Sequence, residues 1–216
     1  MFEGVYVALV TPFTADGRLD EEALRKLVRF HVAEGTDGIV PCGTTGENAA
    51  LDGWEERSRV IRIVVEEARG KLKVVAGAGT NSTAETIANL KRLEPLGVDG
   101  ALVITPYYNK PTQEGLLAHF RAIAEASALP IVMYNVPGRT GVNMLPETVA
   151  RLAEEERLVA IKEASGNVEQ ASWIVRLCGE RVTLLSGEDG LTYPLLCVGG
   201  AGVISVVASN KSSAWT

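Results

Sequence analysis

Short apolar runs alternate along the chain with stretches in which apolar residues recur every three or four positions, and the alternation hardly breaks. The unbroken apolar run over 5–10 predicts a buried strand, closed by Thr11 and Pro12. Asp20 then predicts a helix cap ahead of Leu24, Leu27, Val28 and Val32, which keep a helical period. Further strands are predicted over 38–42, 72–76, 101–104, 131–134, 158–161, 182–185 and 202–206. Between them the pattern predicts helices over 54–68, from Ser82, over 112–127, from Pro146, over 168–178 and over 191–197. Ser82 with Glu85 three residues later has the form of a capping box.

This is one alternating series of eight strands and seven helices, with no linker or composition shift dividing it. Strands that read as continuous Val, Ile and Leu runs are buried on both faces, which implies a parallel sheet. Eight such units predict an α/β fold, a (β/α)8 TIM barrel, over residues 1–208, with 209–216 as a polar tail. The competing fold is an open doubly wound sheet, but its nucleotide signatures are missing. Gly77-Ala78-Gly79 lacks the third glycine of a dinucleotide loop, and the turn from Gly43 to Glu47 lacks the lysine of a phosphate loop.

Composition narrows the function classes. Hydrophobic residues make up 46% and charged residues 22%, which suits a sizeable core and argues against disorder. A net charge of -6 without any basic cluster argues against nucleic acid or an anionic membrane as partner. Cys42, Cys178 and Cys197 are odd in number and far apart, which fits neither a disulfide framework nor a zinc motif and suits a reducing cytoplasm. His31 and His119 lack ligand spacing and are expected as partly exposed helix residues. No basic leader precedes an apolar segment at the start, and the longest uncharged apolar run, 195–208, is too short to span a bilayer. The expectation is a soluble cytoplasmic protein.

A barrel gathers its chemistry at the C-terminal ends of the strands. There the sequence places Thr44 and Thr45, Tyr107 to Asn109, Tyr134 to Gly141, Lys162, and Ser186 to Asp189. Lys162, at the end of its predicted strand, either reaches out to water or sits in apolar surroundings. In the second case its pKa falls and a neutral amine becomes available to attack carbonyls. Hydroxyls and one guanidinium accompany it, with no metal-binding cluster. The set suits carbonyl chemistry on a small acid, with a Schiff base on Lys162, hydroxyls moving protons and Arg139 gripping a carboxylate. Singly, each residue has a plainer role: turn hydrogen bonds for the threonines, interface packing for Tyr107 and Tyr108, an exposed ion pair for Arg139. Jointly they favour catalysis.

Five segments, in order, carry a resemblance: Gly43-Thr44-Thr45-Gly46-Glu47, Thr105-Pro106-Tyr107-Tyr108-Asn109, Tyr134-Asn135-Val136-Pro137-Gly138-Arg139-Thr140-Gly141, Ile161-Lys162-Glu163-Ala164-Ser165-Gly166 and Ser186-Gly187-Glu188-Asp189. Together they resemble the dihydrodipicolinate synthase family of pyruvate-dependent class I aldolases, over nearly the whole chain. The resemblance implies a lyase that condenses pyruvate with L-aspartate 4-semialdehyde in lysine and diaminopimelate biosynthesis, with no cofactor beyond a covalent imine on Lys162. It implies that Thr44 and Thr45 bind the pyruvate carboxylate and that Tyr134 shuttles protons, linked through Thr45 to Tyr108 of a neighbouring subunit. Arg139 would hold the carboxylate of the semialdehyde, backbone at Gly187 and Ile204 would line the pocket, and the protein would be a homo-oligomer, dimer or tetramer. Asn81, Glu85 and Tyr107 match positions of a lysine effector site. Gly53 and Glu56 replace histidines found in some members, so feedback by lysine is expected to be weak or absent.

Sialic acid and keto-sugar-acid aldolases of the same superfamily share the lysine and the tyrosine. The paired threonines and the run Pro137-Gly138-Arg139-Thr140-Gly141 favour the dihydrodipicolinate branch. The family continues through an eighth barrel helix and a small helical C-terminal domain, both expected to be missing here. Strands eight and one would then expose apolar outer faces, covered by another subunit or left at a cost in stability. A folded remnant or binding module, with the pocket but little or no turnover, is the alternative from another class.

Overall fold

A computed structural model describes residues 2–209. Its strands are β1 (Gly4–Ala8), β2 (Gly38–Val40), β3 (Lys73–Gly77), β4 (Gly100–Ile104), β5 (Ile131–Asn135), β6 (Leu158–Glu163), β7 (Thr183–Ser186) and β8 (Gly202–Ser205). Each pairs in parallel with its neighbour in the sequence. β8 returns to β1, from Gly4 opposite Gly202 to Val7 opposite Ser205, and closes the barrel. Both glycines are needed there: a Cβ on Gly202 would lie 2.1 Å from the Gly4 carbonyl oxygen, and Gly4, at φ 89°, would bring a Cβ within 2.1 Å of an Asp37 carboxylate oxygen.

The helices are α1 (Glu21–Ala33), α2 (Gly53–Ala68), α3 (Thr83–Leu93), α4 (Gln113–Ala126), α5 (Pro137–Thr140), α6 (Pro146–Leu152), α7 (Val168–Cys178) and α8 (Thr192–Cys197). Asp20, Ser82 and Thr112 cap their helices as the pattern predicts, each accepting a backbone N–H three residues on. The capping box is only half made: the Glu85 carboxylate accepts the Thr80 hydroxyl at 3.3 Å, and it is Thr80 that takes the Ser82 N–H. The short α5 was not expected. Pro137 in its first turn starts it, and Gly141, at φ 73°, stops it in the left-handed region.

The core has two shells. Tyr6, Val40, Val75, Leu102, Val132, Ala160 and Ile204 fill the barrel, while Val7, Ile39, Val74, Val103 and Ile161 face the helices. Burial on both faces is why these strands read as unbroken apolar runs. His31 and His119 are not partly exposed as expected, but buried on the inner sides of α1 and α4. A threonine hydroxyl serves one ring nitrogen of each: Thr36 for His31, Thr83 for His119. Burial holds both below the ordinary histidine pKa, His119 down to about 4. The strands β1 and β8 also differ from expectation, since Val7 and Val203 on them are buried. Near them, the exposed apolar side chains lie on α7, α8 and the turn after β8: Trp173, Leu177, Tyr193, Leu196, Val206 and Val207. Of the expected polar tail, Ser209 ends that turn and donates its hydroxyl to the Ala8 carbonyl at 3.0 Å. The rest of the tail, and the expected loss of an eighth helix and C-terminal domain, lie outside the described residues. No helix among the described residues is long and apolar enough to cross a membrane.

Candidate active site

The orientation of Lys162 is set by one extra residue in β6. Ile131 pairs with Leu158 but Val132 with Ala160, so the strand carries a bulge at Val159. A slip of one residue turns the following side chains to the opposite face. Ala160 and Lys162 consequently point into the barrel, and Ile161 points out. β6 continues to Glu163, so Lys162 lies within the strand and not at its end, as the apolar run suggested. It is 4% exposed, and its Nζ stands 4.4 Å from the ring centroid of Tyr134, its register partner on β5.

Burial pulls the Lys162 pKa from its ordinary 10.5 down to about 8, with Asp189 opposing the fall and Arg139 adding to it. A lysine with that pKa is roughly a tenth free amine near neutral pH, hundreds of times more than an exposed one. Tyr134 is held above its ordinary value by burial, with Arg139 working against the rise and Glu188 with it. Gly187 leaves room for the lysine stem: a Cβ there would lie 2.9 Å from Lys162 Cγ and 3.0 Å from its Cε. Its N–H donates to the Glu163 carbonyl at 2.8 Å, which ties the β7 end to β6. Ile204 is buried in the barrel lining.

The Thr44-Thr45 turn is closed without the threonine hydroxyls. The Glu47 N–H donates to the Thr44 carbonyl at 3.1 Å, and the Thr11 hydroxyl to the Gly46 carbonyl at 2.7 Å. A cavity of about 30 Å³ lies between Cys42, Gly43, Thr44, Gly79, Ile104 and Tyr134. That is room for about one water, and Thr44 and Arg139 at this end of the barrel are exposed. A cleft of about 680 Å³ lies at the other end of the barrel, against Asp37, Lys73 and Asp99, away from the lysine. Cys42, Glu47, Tyr108 and Lys110 all hold a positive φ in loops at the Lys162 end, the kind of backbone strain that gathers at functional sites.

Arg139 rides on α5 and is exposed. Tyr108 donates its N–H to the Thr140 carbonyl at 3.3 Å, but the residue is 87% exposed. Within one chain, the structure therefore brings Lys162, Tyr134, Gly187 and Ile204 together and leaves Tyr108 outside. Of the effector positions, Asn81 is joined to Asn109 by two hydrogen bonds of 3.1 and 2.9 Å, and Tyr107 is exposed. Glu56 accepts the Asp52 N–H at 2.7 Å, so its carboxylate is engaged in starting α2.

Asp189 is a residue that sequence reasoning left without a role. Its carboxylate accepts the Ser205 hydroxyl and the N–H groups of Val206 and Val207, which fixes the end of β8 beside Lys162. The acidic cluster after β7 was visible in the sequence, but nothing there showed where it points.

A closed parallel barrel with a buried lysine facing a tyrosine toward the C-terminal ends of its strands has the build of the TIM-barrel enzymes, whose chemistry gathers at that end. Comparison with known proteins narrows the class. The chain belongs to the dihydrodipicolinate synthetase family, whose model matches residues 1–213. A 4-hydroxy-tetrahydrodipicolinate synthase of Geotalea uraniireducens (strain Rf4) is 58% identical over 97% of this chain and 71% of its own length. The dihydrodipicolinate synthase of Aquifex aeolicus superposes with a TM-score of 0.93 at 47% identity, covering 96% of this chain and 71% of that one. The chloride-inhibited dihydrodipicolinate synthase of Acinetobacter baumannii, complexed with pyruvate, gives a TM-score of 0.97 at 44% identity over 100% of this chain and 74% of that one.

Proposed function

We propose that this chain condenses pyruvate with L-aspartate 4-semialdehyde, the 4-hydroxy-tetrahydrodipicolinate synthase reaction. The observation that carries the reading is the Lys162 amine, sealed in the barrel against the Tyr134 ring. The neutral amine attacks the keto carbon of pyruvate; water leaves as the imine forms, with Tyr134 placed to supply and take up the protons. Loss of a methyl proton gives the enamine, whose carbon bonds to the aldehyde carbon while the aldehyde oxygen is protonated. The amine of the semialdehyde portion then adds to the imine carbon and displaces Lys162 as the ring closes, which returns the free enzyme. Thr44 and Thr45 hold the pyruvate carboxylate, since their hydroxyls are not needed to close their own turn. Arg139, exposed at the mouth, holds the carboxylate of the semialdehyde.

The same reading makes the chain a homo-oligomer, because Tyr108 is too exposed to serve its own site and suits delivery to a neighbour's. Three free cysteines fit a reducing compartment, the cytoplasm. With Glu56 engaged at Asp52, feedback by lysine is weak or absent.

Intact mass after incubation with pyruvate and borohydride tests the proposal. One reduced pyruvate adduct is expected on the wild type and none on Lys162→Ala. A folded wild type without an adduct would remove the central residue of the reading and leave a pocket without imine chemistry.

A further inference from the structure

Glu163 and Asn135 follow Lys162 and Tyr134 in their strands and form the next register pair, directed out of the barrel. Both are sealed from solvent, Glu163 at 2% exposed. A buried carboxylate is costly unless its oxygens are met by donors. Here Oε2 accepts Asn135 Nδ2 at 3.0 Å and Gln170 Nε2 at 3.3 Å, and Oε1 accepts the Ser165 N–H at 2.6 Å. The bonding runs on into the next connection. Asn135 Nδ2 also donates to Asn143 Oδ1 at 2.8 Å, its Oδ1 accepts the Met144 N–H at 3.0 Å, and Asn143 Nδ2 donates to Gln170 Oε1 at 2.7 Å. From the first turn of α4, Gln113 Nε2 reaches the Asn143 carbonyl at 2.8 Å.

These bonds fasten the far end of the connection that carries Arg139 to the two strands that carry Tyr134 and Lys162. They also fasten it to the helix that follows the Tyr107-Tyr108 loop. We propose that Glu163, Asn135, Asn143 and Gln170 form a positioning network that sets the imine lysine, the tyrosine and the carboxylate-gripping arginine in mutual register from behind the barrel wall. None of the four touches substrate. Glu163 and Asn135 govern the Lys162–Tyr134 pair, while Asn143 and Gln170 govern where Arg139 stands. The inference rests on the condensation proposed above.

The test separates the two ends of the network. Glu163→Gln puts an NH2 where a carboxylate oxygen accepts, and should slow borohydride-trapped adduct formation and lower kcat by about tenfold or more, as expected for an active group displaced by a fraction of an ångström. Gln170→Leu should raise the KM for the semialdehyde by about tenfold and leave the KM for pyruvate within about twofold. Ile123→Val, in the outer core on α4 and away from the network, serves as the stability control; it should lower the melting midpoint without moving either KM. Wild-type kcat and KM values in folded Gln170→Leu would overturn the proposal, even if Glu163→Gln fails to fold. So would the same kinetic changes in Ile123→Val. A wild type that forms no adduct overturns the condensation and this inference with it, whereas a trapped wild type with unaffected variants overturns the network alone.

Discussion

Burying Lys162 carries an electrostatic cost, and its sign can be followed with pH. Below about 8 the amine is charged in the folded and unfolded chains alike, and the folded chain bears the cost of burying it. Between about 8 and 10.5 only the unfolded chain holds the proton, so stability rises with pH across that window. Lys162→Met should therefore stabilise the protein near neutral pH by up to about 3 kcal/mol, a gain that fades toward pH 10.5. Urea unfolding of both proteins at the two ends of the window measures it. Adduct formation with saturating pyruvate should climb with pH and level off above about 8, where the amine is free. A flat profile would mean that deprotonation of Lys162 does not limit the reaction. The sequence displayed this lysine plainly, because an apolar run leads straight into it. It did not display Glu163 and Asn135 as buried. A polar residue at the end of a strand looks the same in sequence whether it meets water or a ring of amides, and the residue that decides which way β6 faces, Val159, is hidden inside an apolar run.

At the level of elements, the periodicity located all eight strands and the long helices, often to within a residue or two. Their ends are fixed by local chemistry that sequence carries: Asp20, Ser82 and Thr112 each stop the preceding loop with a side-chain oxygen. α5 escaped notice because four residues are too few to show a period. Contacts between elements were less legible still. Gly187 looks like an ordinary turn glycine, yet its lack of a side chain is what lets β7 approach the lysine stem. Gly187→Ala should cut the adduct rate by about tenfold to a hundredfold, because the methyl group would lie 2.9 Å from both Lys162 Cγ and Ala164 Cβ and push the lysine stem aside. A variant with wild-type trapping kinetics would show that the stem has slack to yield.

At the scale of the whole molecule, the site divides between what one chain completes and what it holds out. Lys162, Tyr134 and Gly187 meet inside one barrel, whereas Tyr108 stands in solvent on a strained backbone at φ 71°. Lys162→Ala and Tyr108→Phe should accordingly complement one another. Mixed and reassembled, they should recover about a quarter of wild-type activity for a randomly exchanged dimer with reciprocal sites. Activity no higher than that of the parents would place Tyr108 outside its neighbour's site.

The seam between β1 and β8 has a consequence for synthesis. Gly4 pairs with Gly202, so β1, once made, must wait for a partner synthesised almost two hundred residues later. At ordinary elongation rates that wait is on the order of ten to forty seconds. Throughout it, β1 keeps one unpaired edge, which β-strand-seeking neighbours can occupy and chaperones can guard. The nascent chain is most exposed to misassembly in that interval, and the arrival of Gly202 ends it.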